Sequence, residues 1–229
     1  MTTLPTEDNY IEPDILLVHK PKGITSFDVI RKLRRVLTIR KIGHAGTLDP
    51  LAHGLMIVGI QSGTKKMQQY LKLPKTYTAE VLCGMSTATG DLEGETIEEK
   101  SIVTVDFKEK HIQEALDSMV GEHQLQAPLY SALKVEGKPL YWYARNNQTP
   151  PFIPVKEMNV TSIMLLDNYV SGKYYVIKIR IEVSSGTYIR TLGEELGKRL
   201  GYPATLKGLY RVKIGVHEDQ HAFRLPDGV

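Results

Sequence analysis

At residues 43–52 the chain reads Gly43-His44-Ala45-Gly46-Thr47-Leu48-Asp49-Pro50-Leu51-Ala52. One carboxylate, Asp49, lies in this segment, with a histidine five residues before it and a proline directly after it. The glycines allow backbone conformations that are closed to other residues, so a bulky ligand can approach closely. The proline favours an extended conformation at Asp49 and stiffens the chain that follows. The pattern predicts a structured loop that carries a chemically active acid.

A strongly basic segment precedes this loop. Between residues 15 and 43, eight Lys and Arg residues stand against a single acid, Asp28, although the whole chain has a net charge of only +3. An unbalanced block of this kind is typical of phosphate binding, whereas most charge runs are simply solvated helix faces. Its position beside the Asp49 loop favours the phosphate interpretation, with an acid that acts on a polyanion.

The composition is that of an ordinary globular protein. With 229 residues, the chain is long enough for one large domain or two small ones. Its single cysteine, Cys83, excludes an internal disulfide and fits a reducing cytoplasm. No apolar run approaches the roughly 20 residues that a membrane helix needs. Residues 1–14 are polar and acidic, so we predict a disordered leader and not a signal peptide.

Hydrophobic periodicity predicts both helices and strands. Helices are expected at 27–37, 63–71, 112–120, 140–147 and 189–200. Strands are expected at 15–19, 55–60, 77–83, 155–166, 173–183 and 205–216. Ser26 is the expected N-cap of the first helix, Phe27 is expected on its apolar face, and 84–99 is expected to be a mobile loop. We predict an α+β fold: a single domain over 15–216, built on a largely antiparallel mixed sheet and followed by a short tail at 217–229.

The common nucleotide-binding and metal-binding motifs are absent from the sequence. It contains neither GxGxxG nor GxxxxGK[ST], and no HExxH. His217 and His221 flank two acids near the C-terminus, but a solvated tail explains them more simply than a metal site does. We therefore expect no metal and no cofactor.

Six further motifs accompany the Asp49 loop along the chain. They are Lys20-Pro21-Lys22-Gly23-Ile24-Thr25-Ser26, Lys75-Thr76-Tyr77, Pro128-Leu129-Tyr130-Ser131-Ala132-Leu133-Lys134, Leu140-Tyr141-Trp142-Tyr143-Ala144-Arg145, Ser185-Gly186-Thr187-Tyr188-Ile189-Arg190-Thr191 and Leu209-Tyr210-Arg211. In this order and spacing the set closely resembles the TruB family of tRNA pseudouridine synthases, over about residues 15–216. Each motif is weak by itself, but the series is very specific.

The resemblance implies an α+β pseudouridine synthase catalytic domain. Such an enzyme converts a uridine in the TΨC arm of tRNA, position 55 in tRNA nomenclature, to pseudouridine. The reaction neither gains nor loses atoms, so it implies no redox cofactor and no energy source. Many family members add a C-terminal PUA domain; residues 215–229 leave no room for one, and we expect none. We further expect tRNA as the partner, no obligate protein partner, no membrane association, a monomer and a cytoplasmic location.

The resemblance also implies roles for single residues. Asp49 is the expected nucleophile or base, which either attacks C1′ covalently or removes a C2′ proton; both alternatives stay open. Arg190 would pair with Asp49 and keep it ionised. Tyr77 would stack on the target uracil and take part in deprotonation at C5. His44 would fill the space left by the flipped base and contact phosphate.

The remaining expected site residues support the base pocket or bind the RNA backbone. By family match, Lys20, Tyr188 and Leu209 belong to the base pocket. The residues of the basic helix that we expect to contact phosphates without sequence preference are Arg31, Lys32, Arg34 and Arg35. Taken alone, each of these residues also has an ordinary structural explanation.

Two other hypotheses stay open at this point. One is a relative that modifies a different RNA, such as the guide-RNA-dependent branch, which has a similar Gly-His-xxx-Gly-Thr-Leu-Asp-Pro loop. The small size of the chain argues against that branch. The other is an RNA-binding or RNA-folding module without activity, against which the joint presence of Asp49, Tyr77 and Arg190 argues.

Overall fold

The computed structural model of the protein describes residues 4–103 and 107–226. Contacts divide the chain into two compact units, the first formed by 1–78 with 209–229 and the second by 79–208. The helices are α1 (Ser26–Leu37), α2 (Met67–Leu71), α3 (Glu109–Asp117), α4 (Leu140–Arg145) and α5 (Ile189–Arg199). The strands are β1 (Tyr10–Glu12), β2 (Ile15–Lys20), β3 (Ile42–His44), β4 (His53–Ile60), β5 (Lys75–Cys83), β6 (Met85–Thr87), β7 (Thr96–Glu99), β8 (Gly121–Gln126), β9 (Lys134–Val135), β10 (Lys138–Pro139), β11 (Val155–Ser171), β12 (Tyr174–Val183), β13 (Ala204–Ile214), β14 (His217–Glu218) and β15 (Phe223–Arg224).

The first unit is built on a mixed sheet with the order β1-β2-β4-β13. Strand β3 adds to β4, β14 adds to β13, and β15 adds to β2. The ladders β13–β4 and β15–β2 are parallel, whereas β1–β2, β2–β4, β3–β4 and β13–β14 are antiparallel. Strand β2 is apolar along almost its whole length and is buried on both faces, which fits a central strand. One side of this sheet packs into a core that contains Ile15, Leu17, Ala45, Leu55, Ile57, Tyr70, Ile214 and Ala222.

The second unit continues through strands in the order β13-β5-β12-β11-β8, with β5 and β13 each contributing residues to both units. The ladders β11–β12 and β11–β8 are antiparallel. Helix α5 approaches β13 closely because two of its residues are glycines. A Cβ on Gly197 would lie 2.3 Å from the Cβ of Ala204, and one on Gly193 would lie 3.2 Å from a methyl carbon of Leu206. The predicted α+β class and largely antiparallel mixed sheet are confirmed.

The two ends of the described chain are more ordered than the sequence predicted. Within the expected disordered leader, β1 pairs with β2, and Glu12 accepts hydrogen bonds from Lys66 and Tyr70. Within the expected solvated tail, β15 pairs with β2, and Phe223 is buried. Both expectations are wrong for these residues because strand pairing and side-chain contacts fix segments that have no strong periodicity of their own. Residues 1–3 and 227–229 lie outside the described residues.

The segment 84–99 is also structured, where the sequence predicted a mobile loop. Strands β6 and β7 form an antiparallel hairpin in which Met85 pairs with Glu99. The turn between them is fixed by the Thr87 hydroxyl, which donates to the carbonyl of Asp91 at 2.6 Å. The Asp91 side chain is buried and accepts a hydrogen bond from the Thr89 hydroxyl at 2.6 Å. Gly, Thr and acids therefore build a tight turn here.

Among the described residues, no helix has both the length and the hydropathy that a membrane crossing requires.

Candidate active site

The Asp49 loop connects β3 to β4, and Asp49 itself is half-buried. Ser26 holds the residue before it: the Ser26 hydroxyl accepts a hydrogen bond from the Leu48 amide at 2.8 Å and donates one to the Leu48 carbonyl at 3.1 Å. Ser26 is itself buried at the start of α1. The expected capping role belongs instead to Thr25, whose side chain accepts from the amide of Asp28.

Lys20 holds the residue after Asp49. Its side chain is fully buried, and its ammonium donates to the carbonyls of Ile24 at 2.6 Å, Pro21 at 2.9 Å and Pro50 at 3.3 Å. The burial of an ammonium group is tolerated when its donors are satisfied in this way. Lys20 thus joins the turn after β2 to the Asp49 loop, which is the kind of position that a pocket-supporting lysine needs.

Two backbone hydrogen bonds complete the support of the loop. The Gly23 amide donates to the Pro50 carbonyl at 2.9 Å, and the Ala52 amide donates to the Asp49 carbonyl at 3.0 Å. The main chain on both sides of Asp49 is therefore fixed by the turn after β2 and by the loop itself.

Arg211 on β13 is a site residue for which sequence reasoning gave no role. Its side chain is 1% exposed, and its guanidinium donates to the carbonyls of Leu55 at 2.7 Å, Gly46 at 3.3 Å and Thr47 at 3.4 Å. The planar fork of donors lets one side chain bridge a strand and the loop before Asp49. Its membership of the Leu209-Tyr210-Arg211 motif was the only signal in the sequence.

His44 ends β3 at the start of the loop and is half-buried. Its Nδ1 atom is buried and has no hydrogen-bond partner among the described residues. Burial lowers the pKa of His44 below its usual range, and the nearby charge of Arg211 adds to this effect, against a smaller opposite contribution from the backbone of Gly46. His44 is therefore a neutral, planar ring near neutral pH.

Tyr77 and Leu209 are the other residues of the first unit that were predicted to line the base pocket or to act on the uracil. Tyr77 lies on β5, where its side chain is 7% exposed, and Leu209 lies on β13 and is equally buried. Lys75 precedes Tyr77 by two residues, and its ammonium donates to the carbonyl of Leu73 at 2.7 Å. Burial, with the charge of Arg211, lowers the pKa of Lys75 to about 8.

Tyr188 and Arg190 belong to the second unit, at the start of α5. Tyr188 packs against a small apolar cluster of the second unit that includes Tyr143. Arg190 is 6% exposed, and its guanidinium donates to the carbonyls of Thr89 at 2.6 Å and Tyr130 at 2.9 Å. Asp49 belongs to the first unit, so the ion pair between Asp49 and Arg190 stays a prediction.

The basic residues of α1 lie on its outward side. Arg31 and Arg35 are exposed, and Lys32 and Arg34 are half-buried. The apolar side of the helix is formed by Val29, Ile30 and Leu33. Phe27, which was expected on that side, is 57% exposed, and the guanidinium carbons of Arg31 and Arg34 lie 5.7 Å and 5.8 Å from its ring centroid. Arg31 also pairs with Asp28.

We expect the double substitution of Arg34→Ala with Arg35→Ala to reduce the salt dependence of RNA binding. If both side chains neutralise phosphates, the slope of log affinity against log salt should flatten by about two phosphate equivalents. Affinities measured over a salt series test this, with Arg180→Ala on the exposed side of β12 as the matched control. An unchanged slope in the double variant would exclude phosphate contacts by this part of α1.

Comparison with known proteins identifies the class of protein that this fold and loop represent. Residues 34–189 match the family model described as "TruB family pseudouridylate synthase (N terminal domain)". The chain belongs to the TruB family of pseudouridine synthases.

Among curated relatives, the chain is similar to tRNA pseudouridine synthase B of Staphylococcus aureus (strain MSSA476), with 40% identity over 203 residues. That match covers 88% of this chain and 66% of the relative, so the chain spans about two thirds of that protein's length. It is also similar to tRNA pseudouridine synthase B of Endomicrobium trichonymphae, with 39% identity over 217 residues. In this case the match covers 93% of this chain and 90% of the relative.

Solved structures share the fold. The structure described as "Crystal Structure of a Cbf5-Nop10-Gar1 Complex" matches with a TM-score of 0.67 and 26% identity, over 92% of this chain and 52% of that one. The structure described as "Structure of H/ACA RNP bound to a substrate RNA containing 2'-deoxyuridine" matches with a TM-score of 0.65 and 21% identity, over 98% of this chain and 60% of that one. The second likeness concerns the fold alone.

Proposed function

We propose that this chain converts a uridine in the TΨC arm of tRNA, at position 55, to pseudouridine. The observation that carries the proposal is the Asp49 loop. Ser26 and Lys20 hold the main chain on both sides of Asp49, while the Asp49 side chain keeps part of its surface exposed. A carboxylate that is fixed and reachable suits attack on a sugar carbon or removal of a sugar proton. The similarity to proteins named tRNA pseudouridine synthase B supports tRNA as the substrate.

The proposed reaction balances without any co-reactant. The N1–C1′ bond of the target uridine breaks, the uracil turns, and a C5–C1′ bond forms. The proton lost from C5 is matched by the proton that N1 gains. Asp49 either bonds to C1′ and is later displaced, or removes the C2′ proton and returns it.

The other residues take supporting roles in this proposal. Arg190 keeps Asp49 ionised, and Tyr77 stacks on the uracil and takes part in deprotonation at C5. His44 fills the gap in the base stack, a place for which a neutral planar ring is suited because it loses little hydration there. Lys20, Tyr188 and Leu209 support the base pocket.

We further propose that the chain acts on tRNA as a monomer, in the cytoplasm and without an obligate protein partner. The single cysteine fits a reducing compartment, and the basic face of α1 supplies charge for a polyanion.

Tritium release tests the proposed function directly. A tRNA transcript carrying C5-tritiated uridine should release tritium in the presence of the protein, and mapping should place the pseudouridine in the TΨC arm. The matched control is a transcript in which cytidine replaces the target uridine. Absence of tritium release, or pseudouridine at another position only, would contradict the proposal.

The loop sequence leaves one second candidate, a pseudouridine synthase of the guide-RNA-dependent branch, and the fold is also similar to that in a Cbf5-Nop10-Gar1 complex. The same assay separates the two functions when purified protein and transcript are the only macromolecules present. Turnover under these conditions supports the stand-alone enzyme. Turnover only after addition of guide RNA supports the second candidate.

We expect Arg190→Ala to lower the rate far more than the affinity for RNA. If the guanidinium orients an ionised Asp49, its removal should cost about a hundredfold in turnover. Single-turnover rates and dissociation constants measured in parallel test this, with Arg199→Ala on the same helix as the control, because Arg199 bonds to Glu195 and Ser118. A defect in binding alone would count against the proposed ion pair.

A further inference from the structure

A stacked pair of aromatic rings follows the Asp49 loop directly. His53 begins β4, and its ring lies against that of Tyr210 on β13, with centroids 4.5 Å apart and planes inclined by 1°. Both rings are half-buried. The backbone at Gly54 has a φ of +110°, and a Cβ there would lie 2.7 Å from the Tyr210 ring and 2.4 Å from the Arg211 carbonyl. A glycine at this position therefore permits the close approach of the two strands on which the stack depends.

The buried carboxylate of Asp219 holds one ring of the stack, that of Tyr210, in place. Asp219 is 1% exposed and accepts hydrogen bonds from the Tyr210 hydroxyl at 2.9 Å and from Arg224 at 3.0 Å, with His19 Nδ1 at 2.8 Å. Burial by itself raises the pKa of Asp219, but hydrogen bonds from His19 and Tyr210, with the charge of Arg224, lower it overall. The carboxylate is thus ionised and compensated inside the protein, and Tyr210 is held in one orientation.

Two cations lie near the stack, Lys22 and Arg224, and the second of them also pairs with Asp219. Lys22 and Arg224 are both exposed. Burial, followed by the charge of Lys22, lowers the pKa of His53 to about 4, so this ring is neutral and planar near neutral pH. The residue after Lys22, Gly23, donates its amide to the Pro50 carbonyl at 2.9 Å. The turn that carries Lys22 is therefore bonded directly to the Asp49 loop.

We infer that Lys22, His53, Tyr210 and Arg224, called here the His53 patch, bind an unpaired nucleotide of the RNA beside the one that reaches Asp49. The inference rests on the proposed function and adds a second contact to it. A planar ring pair offers a stacking surface for a base without regard to sequence, and the two cations match the phosphates that flank it.

An unpaired nucleotide fits the patch better than a duplex does. Bases within a duplex are stacked on each other and present only their edges, whereas an aromatic surface needs a base whose face is accessible. Extrusion of the target uridine also interrupts the stacking of its neighbours, so a neighbouring base with an accessible face is available next to Asp49.

Binding of a TΨC stem-loop to variants in an Asp49→Asn background tests the inference. His53→Ala should weaken the affinity about tenfold, and His53→Phe, which keeps a planar ring, should restore most of it. Lys22→Ala should lower the slope of log affinity against log salt by about one. His111→Ala and Lys110→Ala, at exposed positions of α3, are the matched controls and should change neither quantity.

A fluorescent base makes the contact visible independently of affinity. When 2-aminopurine replaces a nucleotide next to the target, binding should quench its fluorescence, and His53→Ala should abolish this quenching. Thermal unfolding shows whether each variant is folded. If His53→Ala is not folded, His53→Phe is measured in its place.

The outcomes separate this inference from the proposed function. Unchanged affinity, salt slope and quenching in folded His53 and Lys22 variants, with tritium release by the unsubstituted protein intact, would overturn the patch and leave the function standing. Patch-dependent RNA binding without tritium release would support the patch and overturn the function.

Discussion

Replacement of Asp49 by asparagine should lower turnover of a tRNA transcript by at least about a thousandfold. The amide has nearly the shape of the carboxylate, but it can neither bond to C1′ nor take a proton from C2′. The substitution leaves the contacts that support the loop unchanged, because Ser26 and Lys20 contact the main chain of Leu48 and Pro50. We therefore expect the affinity for RNA to stay nearly the same.

Single-turnover rates and dissociation constants for the same transcript test this prediction. Asp117→Asn is the matched control, because Asp117 is an exposed acid at the end of α3 whose hydrogen bond from Gln113 an amide can also accept. Residual turnover near that of the unsubstituted protein would remove Asp49 from its role.

Arg211→Met should lower the free energy of unfolding by about 3 to 5 kcal/mol. Methionine keeps much of the apolar volume of the arginine side chain but removes the donor to three carbonyls, those of Leu55, Gly46 and Thr47. Urea unfolding measures the loss. Lys213→Met, a change of similar kind two residues further along β13, should shift stability by about 0.5 kcal/mol or less, because Lys213 is half-exposed.

The same substitution should also slow catalysis in the molecules that remain folded. Without Arg211, Gly46 and Thr47 lose their side-chain bonds to β13, and small misplacements of a reacting group cost about a hundredfold in rate. The rate is to be measured at a temperature where the variant is fully folded. A stability loss with an unchanged rate would show that Arg211 supports the fold and not the position of Asp49.

Periodicity predicted the longer elements of the fold. The expected helices at 27–37, 140–147 and 189–200 agree closely with α1, α4 and α5, and the expected strands agree in the same way with β2, β4, β5, β12 and β13. Short strands such as β3, β14 and β15 were missed because two or three residues carry no periodicity, and the partner of β15 also lies far along the chain in β2. Strand β8 was missed for another reason, since its sequence Gly-Glu-His-Gln-Leu-Gln carries almost no apolar signal.

In the candidate site, Asp49 was predictable from its chemistry and Lys20 from its place in a family motif, whereas the contacts of Arg211 and Ser26 were not. Asp49 and Lys20 lie in motifs of recognisable order. The Arg211 guanidinium donates to the carbonyl of Gly46, which lies 165 residues earlier in the sequence. Every residue has a main-chain carbonyl, so the identity of the acceptor residue does not reveal this contact. The sequence predicts Ser26 as a helix cap because a hydroxyl at a helix start usually has that role. Its actual partner, Leu48, lies 22 residues away, and local sequence patterns do not predict such a contact.

The rigid main chain around Asp49 decides which molecule has to distort. With Leu48 and Pro50 both held, the main chain at Asp49 stays in place, so in the proposed reaction the nucleotide has to move to it. In the proposed reaction the distortion therefore falls on the nucleic acid, and the rate depends on how readily a transcript releases its base. If the proposed function holds, flexible loops should be modified faster than stiff ones among RNAs of equal affinity.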